Sequence, residues 1–166
     1  SPVLEGEALE VNATITNTGD VSASQTITLN MGGTQRDSQS LTLNAGESQS
    51  VTLSWSTASG DAGSYVAAVE SEDDNASADV LVQEPAFFSV SGLSSNSPVL
   101  QGETLEVDAT ITNTGDVSAS QTITLSAGGT QRDSRELTLN AGESQSVTLS
   151  WTTADGDAGS YVATVS

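Results

Sequence analysis

The sequence predicts an all-β protein, a tandem pair of antiparallel β-sandwiches built from one repeated unit. Residues 1–70 align without gaps to residues 97–166, an offset of 96 residues, and eleven of the 70 aligned positions differ. Within each copy, apolar and polar residues alternate over short segments, which is typical of strands with one buried face. No segment shows a helical period of useful length. The repeat and the alternation together therefore favour duplicated β-sandwiches over any helical or mixed fold.

The first alternating segment, residues 9–16, ends at an Asn-Thr-Gly-Asp turn at residues 17–20. Further segments follow at similar spacing and are separated by glycine-containing turns. We expect these strands near residues 27–29, 41–43, 51–56, 65–69, 78–82 and 88–90. About seven short strands in a unit of this length match the size and rhythm of an immunoglobulin-like sandwich.

The repeat offset places the domain boundary near residue 84. Residues 1–84 are expected to form the first sandwich without its first strand, because the strand predicted at residues 87–90 has no counterpart before residue 1. Residues 85–166 are expected to form the second sandwich without its last strand, the one predicted at residues 78–82. Two interpretations stay open: covalent neighbours in a longer tandem chain supply these strands, or neighbouring subunits do so by strand addition.

Charge is the second dominant feature. The chain has 22 acidic residues and 3 basic ones, a net charge of −19, with arginine as its only basic residue type. Nucleic-acid binding is excluded, because phosphates require a basic surface. Halophile proteins use such one-signed surfaces to stay soluble in concentrated salt, where the self-repulsion is screened. We therefore interpret the acidity as a salt adaptation, with a cationic binding partner as the alternative.

Short motifs recur in both copies at equivalent positions. Asn17-Thr18-Gly19 follows the first alternating strand, and Gly46-Glu47-Ser48 precedes the strand that carries Trp55; the second copy repeats all of these 96 residues later. The pattern resembles CARDB-type domains, the cell-adhesion-related modules of bacterial and archaeal surface proteins. The resemblance implies an extracellular, immunoglobulin-type spacer or adhesive unit without catalytic residues. The lysine-free, acidic composition is similar to that of haloarchaeal surface proteins.

The residue types present limit the chemistry of the chain. Histidine and cysteine are both absent, which removes the commonest general base, the thiol nucleophile and most zinc sites. A pair of carboxylates could act in glycoside hydrolysis, but the acidic residues fall in turns and on outward strand positions. We therefore predict that the chain is not an enzyme and carries no organic cofactor.

Calcium is the one ligand for which oxygen donors are plentiful. The candidate ligands are four carboxylates of one loop, Glu70, Glu72, Asp73 and Asp74. A second candidate is Asp155-Gly156-Asp157, which reads Ser59-Gly60-Asp61 in the other copy and so loses one donor there. The alternative interpretations are an exposed, hydrated loop and a tight turn.

Two N-glycosylation sequons occur, at Asn12 and Asn75. Asp108 replaces the asparagine at the position equivalent to Asn12, so that sequon is not shared by both copies. The aromatic residues in phase with the apolar strand positions are interpreted as core residues, with a carbohydrate platform as the alternative; they are Trp55, Tyr65, Trp151 and Tyr161.

These observations predict a structural repeat module of an extracellular filament, stalk or surface-layer-associated protein of a halophile. The expected partner is the protein itself, as a homopolymer or a longer tandem chain, with assembly by strand complementation. We expect no membrane insertion in this segment. The alternatives are an adhesin domain that binds glycans or other cell-surface proteins, and an accessory sandwich of a secreted hydrolase or viral fibre.

Overall fold

The computed structural model describes residues 2–166, and within them the secondary structure consists of strands and turns. The described residues form 13 strands: β1 (Val3–Leu4), β2 (Ala8–Thr16), β3 (Ala23–Met31), β4 (Thr34–Leu43), β5 (Ser48–Ser56), β6 (Gly63–Glu70), β7 (Asn75–Gln83), β8 (Phe88–Ser95), β9 (Thr104–Asn113), β10 (Ala119–Ala127), β11 (Thr130–Leu139), β12 (Ser144–Thr152) and β13 (Ala163–Val165). This confirms the all-β fold class predicted from the sequence.

The chain divides into two compact units, Ser1–Glu84 (unit 1) and Pro85–Ser166 (unit 2). In unit 1, one sheet has the order β1-β7-β6-β3-β4 and the other is the pair β2-β5. Every pairing in these sheets is antiparallel except that of β1 with β7, which is parallel. In unit 2, the two sheets have the orders β11-β10-β13 and β12-β9-β8, with antiparallel pairing throughout.

Each unit has its own apolar core between its two sheets, as in other sandwiches. In unit 1 the alternation of β5 buries Val51, Leu53 and Trp55, while the residues between them are exposed. Ile27 and Leu29 of β3 face them from the other sheet and are fully buried. The period of two that predicts the strands thus also determines which side chains form the core.

The structure adds two stretches of strand that the alternation does not reveal, the first part of β4 and the whole of β1. β4 begins at Thr34, well before the apolar residues at 41 and 43, because its first part is polar on both faces. β1 comprises only two residues, too few for a periodicity to show. Both extra elements lie at edges of the larger sheet of unit 1.

The two copies differ in which strands they contain. β8 pairs with β9 in unit 2, whereas the equivalent edge of β2 in unit 1 has no strand beside it among the described residues. Conversely, β7 pairs along β6 in unit 1, and no described strand takes that place in unit 2. β13, the counterpart of β6, is correspondingly short, with three residues against eight.

Most of the eleven exchanges between the copies fall on exposed or half-buried positions. Met31 is the exception, since both it and its counterpart Ala127 are 1% exposed. This core exchange is not apparent from the strand phase used in the sequence analysis, because Met31 lies directly before the Gly-Gly turn. It removes side-chain volume from the core of unit 2 next to Tyr161.

Candidate functional site

The tryptophans are enclosed structural residues rather than a carbohydrate platform. Trp55 is 4% exposed; Tyr65 meets its ring edge-on at a centroid distance of 5.0 Å, and the guanidinium of Arg36 lies 4.5 Å from the ring centroid. The same arrangement recurs around Trp151 in unit 2. Both rings are at most 8% exposed, which leaves little ring surface on which a sugar could stack.

Tyr161 departs from the prediction that all four aromatic residues belong to the core. It is 42% exposed, although its ring still meets that of Trp151 at 5.3 Å. Its counterpart Tyr65 is half-buried, with β7 paired along its own strand. The exposure of Tyr161 follows from the open strand position beside it.

The Asn-Thr-Gly motif acts through its asparagine, a role that sequence reasoning missed. Asn113 is 0% exposed, and its amide group donates to the carbonyl oxygens of Val117, Leu139 and Asn140 at 2.8, 3.2 and 3.2 Å. Its Oδ1 accepts the backbone N–H of Gly115 at 3.1 Å. The side chain thus fastens the turn to the end of β11 and satisfies buried backbone groups.

The turn at the end of β5 is held by its own carboxylate. Asp61 Oδ2 accepts the N–H of Ala58 at 2.8 Å, and Asp157 does the same for Ala154 at 2.8 Å. Asp157 belongs to the second candidate calcium motif predicted from the sequence. Because one of its carboxylate oxygens already accepts a backbone N–H, the geometry matches the alternative interpretation of a tight turn.

The acidic loop after β6 has a similar internal organisation. Asp74 accepts the N–H of Ser71 through its backbone oxygen and that of Asn75 through Oδ1, while Gln25 donates to Asp73. Glu70 and Glu72 are exposed. Within residues 2–166 the loop carboxylates do not converge into a group of three or more that could hold a metal ion.

The two sequon asparagines, Asn12 and Asn75, are both exposed. Asn12 lies on the outer face of β2, where its Oδ1 accepts the hydroxyl of Thr52 at 2.6 Å. Asp108 makes the equivalent contact with Thr148 at 2.5 Å, so this cross-strand hydrogen bond is preserved without the sequon.

Unit 1 has an open groove beside β2. A cavity of about 430 Å³ lies there, with an apolar side and a polar side. The apolar side is lined by Ile15, Ala23, Ile27, Leu41 and Leu43, and the polar side includes Gln25, Ser71, Asp73 and Asp74. Val11, Ala13 and Ile15 of β2 are only half-buried. Their apolar surface therefore remains in contact with solvent although the rest of the core is closed.

The equivalent position in unit 2 is occupied by β8. Val107, Ala109 and Ile111 are 1%, 3% and 0% exposed there, and Phe88 of β8 packs against the same core. The copies have nearly the same sequence at this edge, so the added strand is the cause of the difference in burial.

Unit 2 is open at the other sheet. A cavity of about 590 Å³ lies between the segment at 97–101 and Tyr161, with Trp151 at its base. In unit 1 the corresponding region is closed by Val82 of β7 and Val3 of β1, which are 1% and 9% exposed. Among the described residues, β7 of unit 1 and β8 of unit 2 thus have no counterpart in the other unit.

No helix among the described residues is long and apolar enough to cross a membrane. Comparison with curated proteins gives no match to the chain.

The CARDB family model matches residues 1–80 and again residues 86–166. CARDB domains are non-catalytic, immunoglobulin-like modules that are typically found in extracellular or surface proteins. The two matches coincide with the two sandwich units and cover nearly all of the sequence. The chain belongs to the CARDB family and contains two of its domains in tandem.

Proposed function

We propose that this chain is a non-enzymatic structural module of an extracellular filament, stalk or surface-layer-associated protein, working in high salt. The observation that carries the proposal is the near-identity of two successive sandwiches. The residues that differ lie mostly at exposed or half-buried positions. The tryptophans with their neighbouring tyrosine and arginine are the same in both copies, and so are the asparagines that hold the turn after the first long strand, Asn17 and Asn113 (the turn-fastening asparagines). Stacked copies of one unit are the usual construction of extended proteins.

The loops support a building element over a ligand-binding adhesin. The turns after β4 and β5 use their acidic residues to bind their own backbone: Glu47 accepts the N–H of Asn44 at 2.9 Å, and Asp61 accepts that of Ala58. Glu5 also accepts two N–H groups of the turn after β5, at Gly60 and Ala62. A loop whose polar groups are satisfied internally offers few of them to a ligand.

Assembly is proposed to proceed by strand complementation. The two open positions, beside β2 in unit 1 and beside β13 in unit 2, are grooves at sheet edges with both apolar and polar lining. Strand addition at such edges supplies backbone hydrogen bonds and pockets for alternate side chains. The partner under this proposal is another unit of the same kind, in a homopolymer or a longer tandem chain.

Glycosylation and calcium binding at the surface belong to the same proposal. Asn12 and Asn75 are proposed as glycan acceptors, because both are exposed and both lie in sequons. Calcium binding by Glu70, Glu72, Asp73 and Asp74 stays a prediction. The test is the melting temperature measured during titration with calcium. A calcium site predicts a rise in the melting temperature of the parent chain that is lost in a variant with Glu70→Gln and Glu72→Gln.

Electron microscopy of the native material tests the proposed function. We expect fibrous or rod-shaped particles with a regular axial repeat that reflects one sandwich unit. Isolated globular particles at every salt concentration would contradict a structural role. A glycan array run in parallel tests the adhesin alternative, for which specific binding would be required.

A further inference from the structure

The open groove of unit 1 runs beside β2, at the edge that β8 covers in unit 2. We propose that it accepts an extended segment with the sequence pattern of β8, which adds antiparallel to β2 and packs a phenylalanine against the apolar side of the cavity, as Phe88 packs against the core of unit 2. The occupant is taken to come from another unit of the array. The inference rests on the strand-completion part of the proposed function and adds to it the ligand, the register and the anchoring side chain.

The register follows from unit 2, where the same position is filled. There Phe88 lies opposite Asn113 and Val90 lies opposite Ile111. Subtracting the repeat offset places the incoming phenylalanine opposite Asn17 and the following valine opposite Ile15. The bulge after Ser91 and the positive φ of 62° at Gly92 then bring the end of the segment alongside Asn12 and Val11.

Polar groups of the groove are arranged to receive the backbone. In unit 2 the N–H of Phe87 donates to Asn113 Oδ1 at 3.2 Å, and the N–H of Thr114 donates to the carbonyl of Phe87 at 2.8 Å. Unit 1 has the same asparagine-threonine pair as Asn17 and Thr18. Asn17 already makes its turn contacts, with Val21 and Leu43, so it stands in the orientation that the strand requires.

Glycine at position 19 gives a second, independent indication. In unit 2, a Cβ added to Gly115 would lie 2.0 Å from the carbonyl oxygen of Pro85, so the entering segment passes directly over this residue. In unit 1 the same construction at Gly19 meets only Asn17 Oδ1, at 3.2 Å. Unit 1 thus has at Gly19 the clearance that a strand needs, although no described residue passes there.

The burial differences between the copies follow the path of β8. Val21, next to the turn, is 73% exposed, whereas its counterpart Val117 is half-buried. Ile15 is half-buried, whereas Ile111 is 0% exposed. An apolar side chain in the groove would remove this surface from water, which favours a phenylalanine-bearing strand over a hydrated sugar on this side of the cavity.

The test is a version of the full chain carrying a second copy of residues 85–96 directly before Ser1. We expect amide hydrogen exchange in β2 to slow by about tenfold or more relative to the unextended chain. The matched controls are the same extension with alanine at the position of Phe88, and the extended chain with Gly19→Ala. Both should lose most of the protection, while β9 of unit 2 serves as an internal reference.

Two results would overturn the inference: exchange in β2 that the extension leaves unchanged, or equal protection by the alanine-bearing extension. Sedimentation of the unextended chain tests whether a second copy of the chain fills the groove. A dimer that protects β2 without any extension would also count against the inference, because the chain's own β8 is already paired with β9 and another segment would have to fill the groove. The two failures are distinguishable. If electron microscopy shows rods but the added residues 85–96 do not slow exchange in β2, the inference is wrong and the proposed function still stands.

Discussion

At the scale of single residues, two of the three basic side chains do the same structural work in the two copies. Arg36 and Arg132 lie over the rings of Trp55 and Trp151, at 4.5 and 4.0 Å from the centroids. The third, Arg135, is exposed. Arg36 is exposed and Arg132 is half-buried, so in a chain with a net charge of −19 the feature that the two share is the contact with a buried tryptophan ring.

The arginines provide a matched pair of substitutions in unit 2. Arg132→Ala is expected to lower the free energy of unfolding by about 1–2 kcal/mol, because it removes a partly desolvated cation–π contact. Arg135→Ala removes the same charge from the surface and should stay within about 0.5 kcal/mol. The change in the free energy of unfolding of each variant is measured by urea denaturation, with hydrogen exchange of the amides of β12 as the probe of unit 2. Equal losses would show that charge, and not the ring contact, matters.

The turn-fastening asparagines give a second prediction at this scale. Asn113→Ala should cost about 2–4 kcal/mol, because it leaves several buried backbone groups without partners. Asn17→Ala should cost less, because Asn17 is half-buried and makes no contact equivalent to that between Asn113 and Phe87. Hydrogen exchange resolved to each unit compares the two. A larger effect at Asn17 would contradict this account of the motif.

At the scale of elements, β8 depends on a glycine of the neighbouring turn. Gly115→Ala is expected to displace the entry of β8, because the added Cβ would lie 2.0 Å from the carbonyl oxygen of Pro85. Amide exchange over residues 88–95 should then accelerate, and unit 2 should lose about 1–3 kcal/mol as an overpacked site. Gly19→Ala is the control and should have a small effect. Unchanged protection of β8 in Gly115→Ala would refute the prediction.

The alternation of apolar and polar residues was sufficient to predict the strands that bury one face. β2, β5 and β12 show this clearly, since each has a run of inward residues separated by exposed ones. The polar first half of β4 and the two-residue β1 could not be found in this way, because neither has a periodic apolar signal. Their positions depend on pairing with strands far away in the sequence.

The candidate site was only partly predictable. The offset of the repeat indicates which strands have no counterpart in the other unit, because the predicted strands at residues 78–82 and 88–90 occur once. It does not reveal that Asn113 and Gly115 lie against the segment entering β8, since this depends on the path of the backbone. Nor could it indicate that Tyr161 would be 42% exposed. The alternation predicts the face of the sheet on which a residue lies, but not whether a neighbouring strand covers that residue.

At the scale of the whole molecule, the acidic surface predicts a dependence of stability on salt. A net charge of −19 repels itself in the folded state more than in the expanded unfolded state. The Debye length falls from about 10 Å at 0.1 M salt to about 3 Å at 1 M, which screens most of this repulsion. The melting temperature should therefore rise between low and molar NaCl.

A charge-reduced variant separates screening from general salting effects. The substitutions are Glu10→Gln, Asp20→Asn, Glu72→Gln and Asp79→Asn, all at exposed positions. Because the variant has less repulsion to screen, it should be more stable than the parent chain at low salt and gain less from added NaCl. Exclusion of salt from the surface would instead raise both melting temperatures alike and continue to rise above 1 M. Calorimetry across a NaCl series measures the melting temperatures of both proteins. If the two curves of melting temperature against NaCl concentration are parallel, the acidic surface is not evidence of adaptation to high salt.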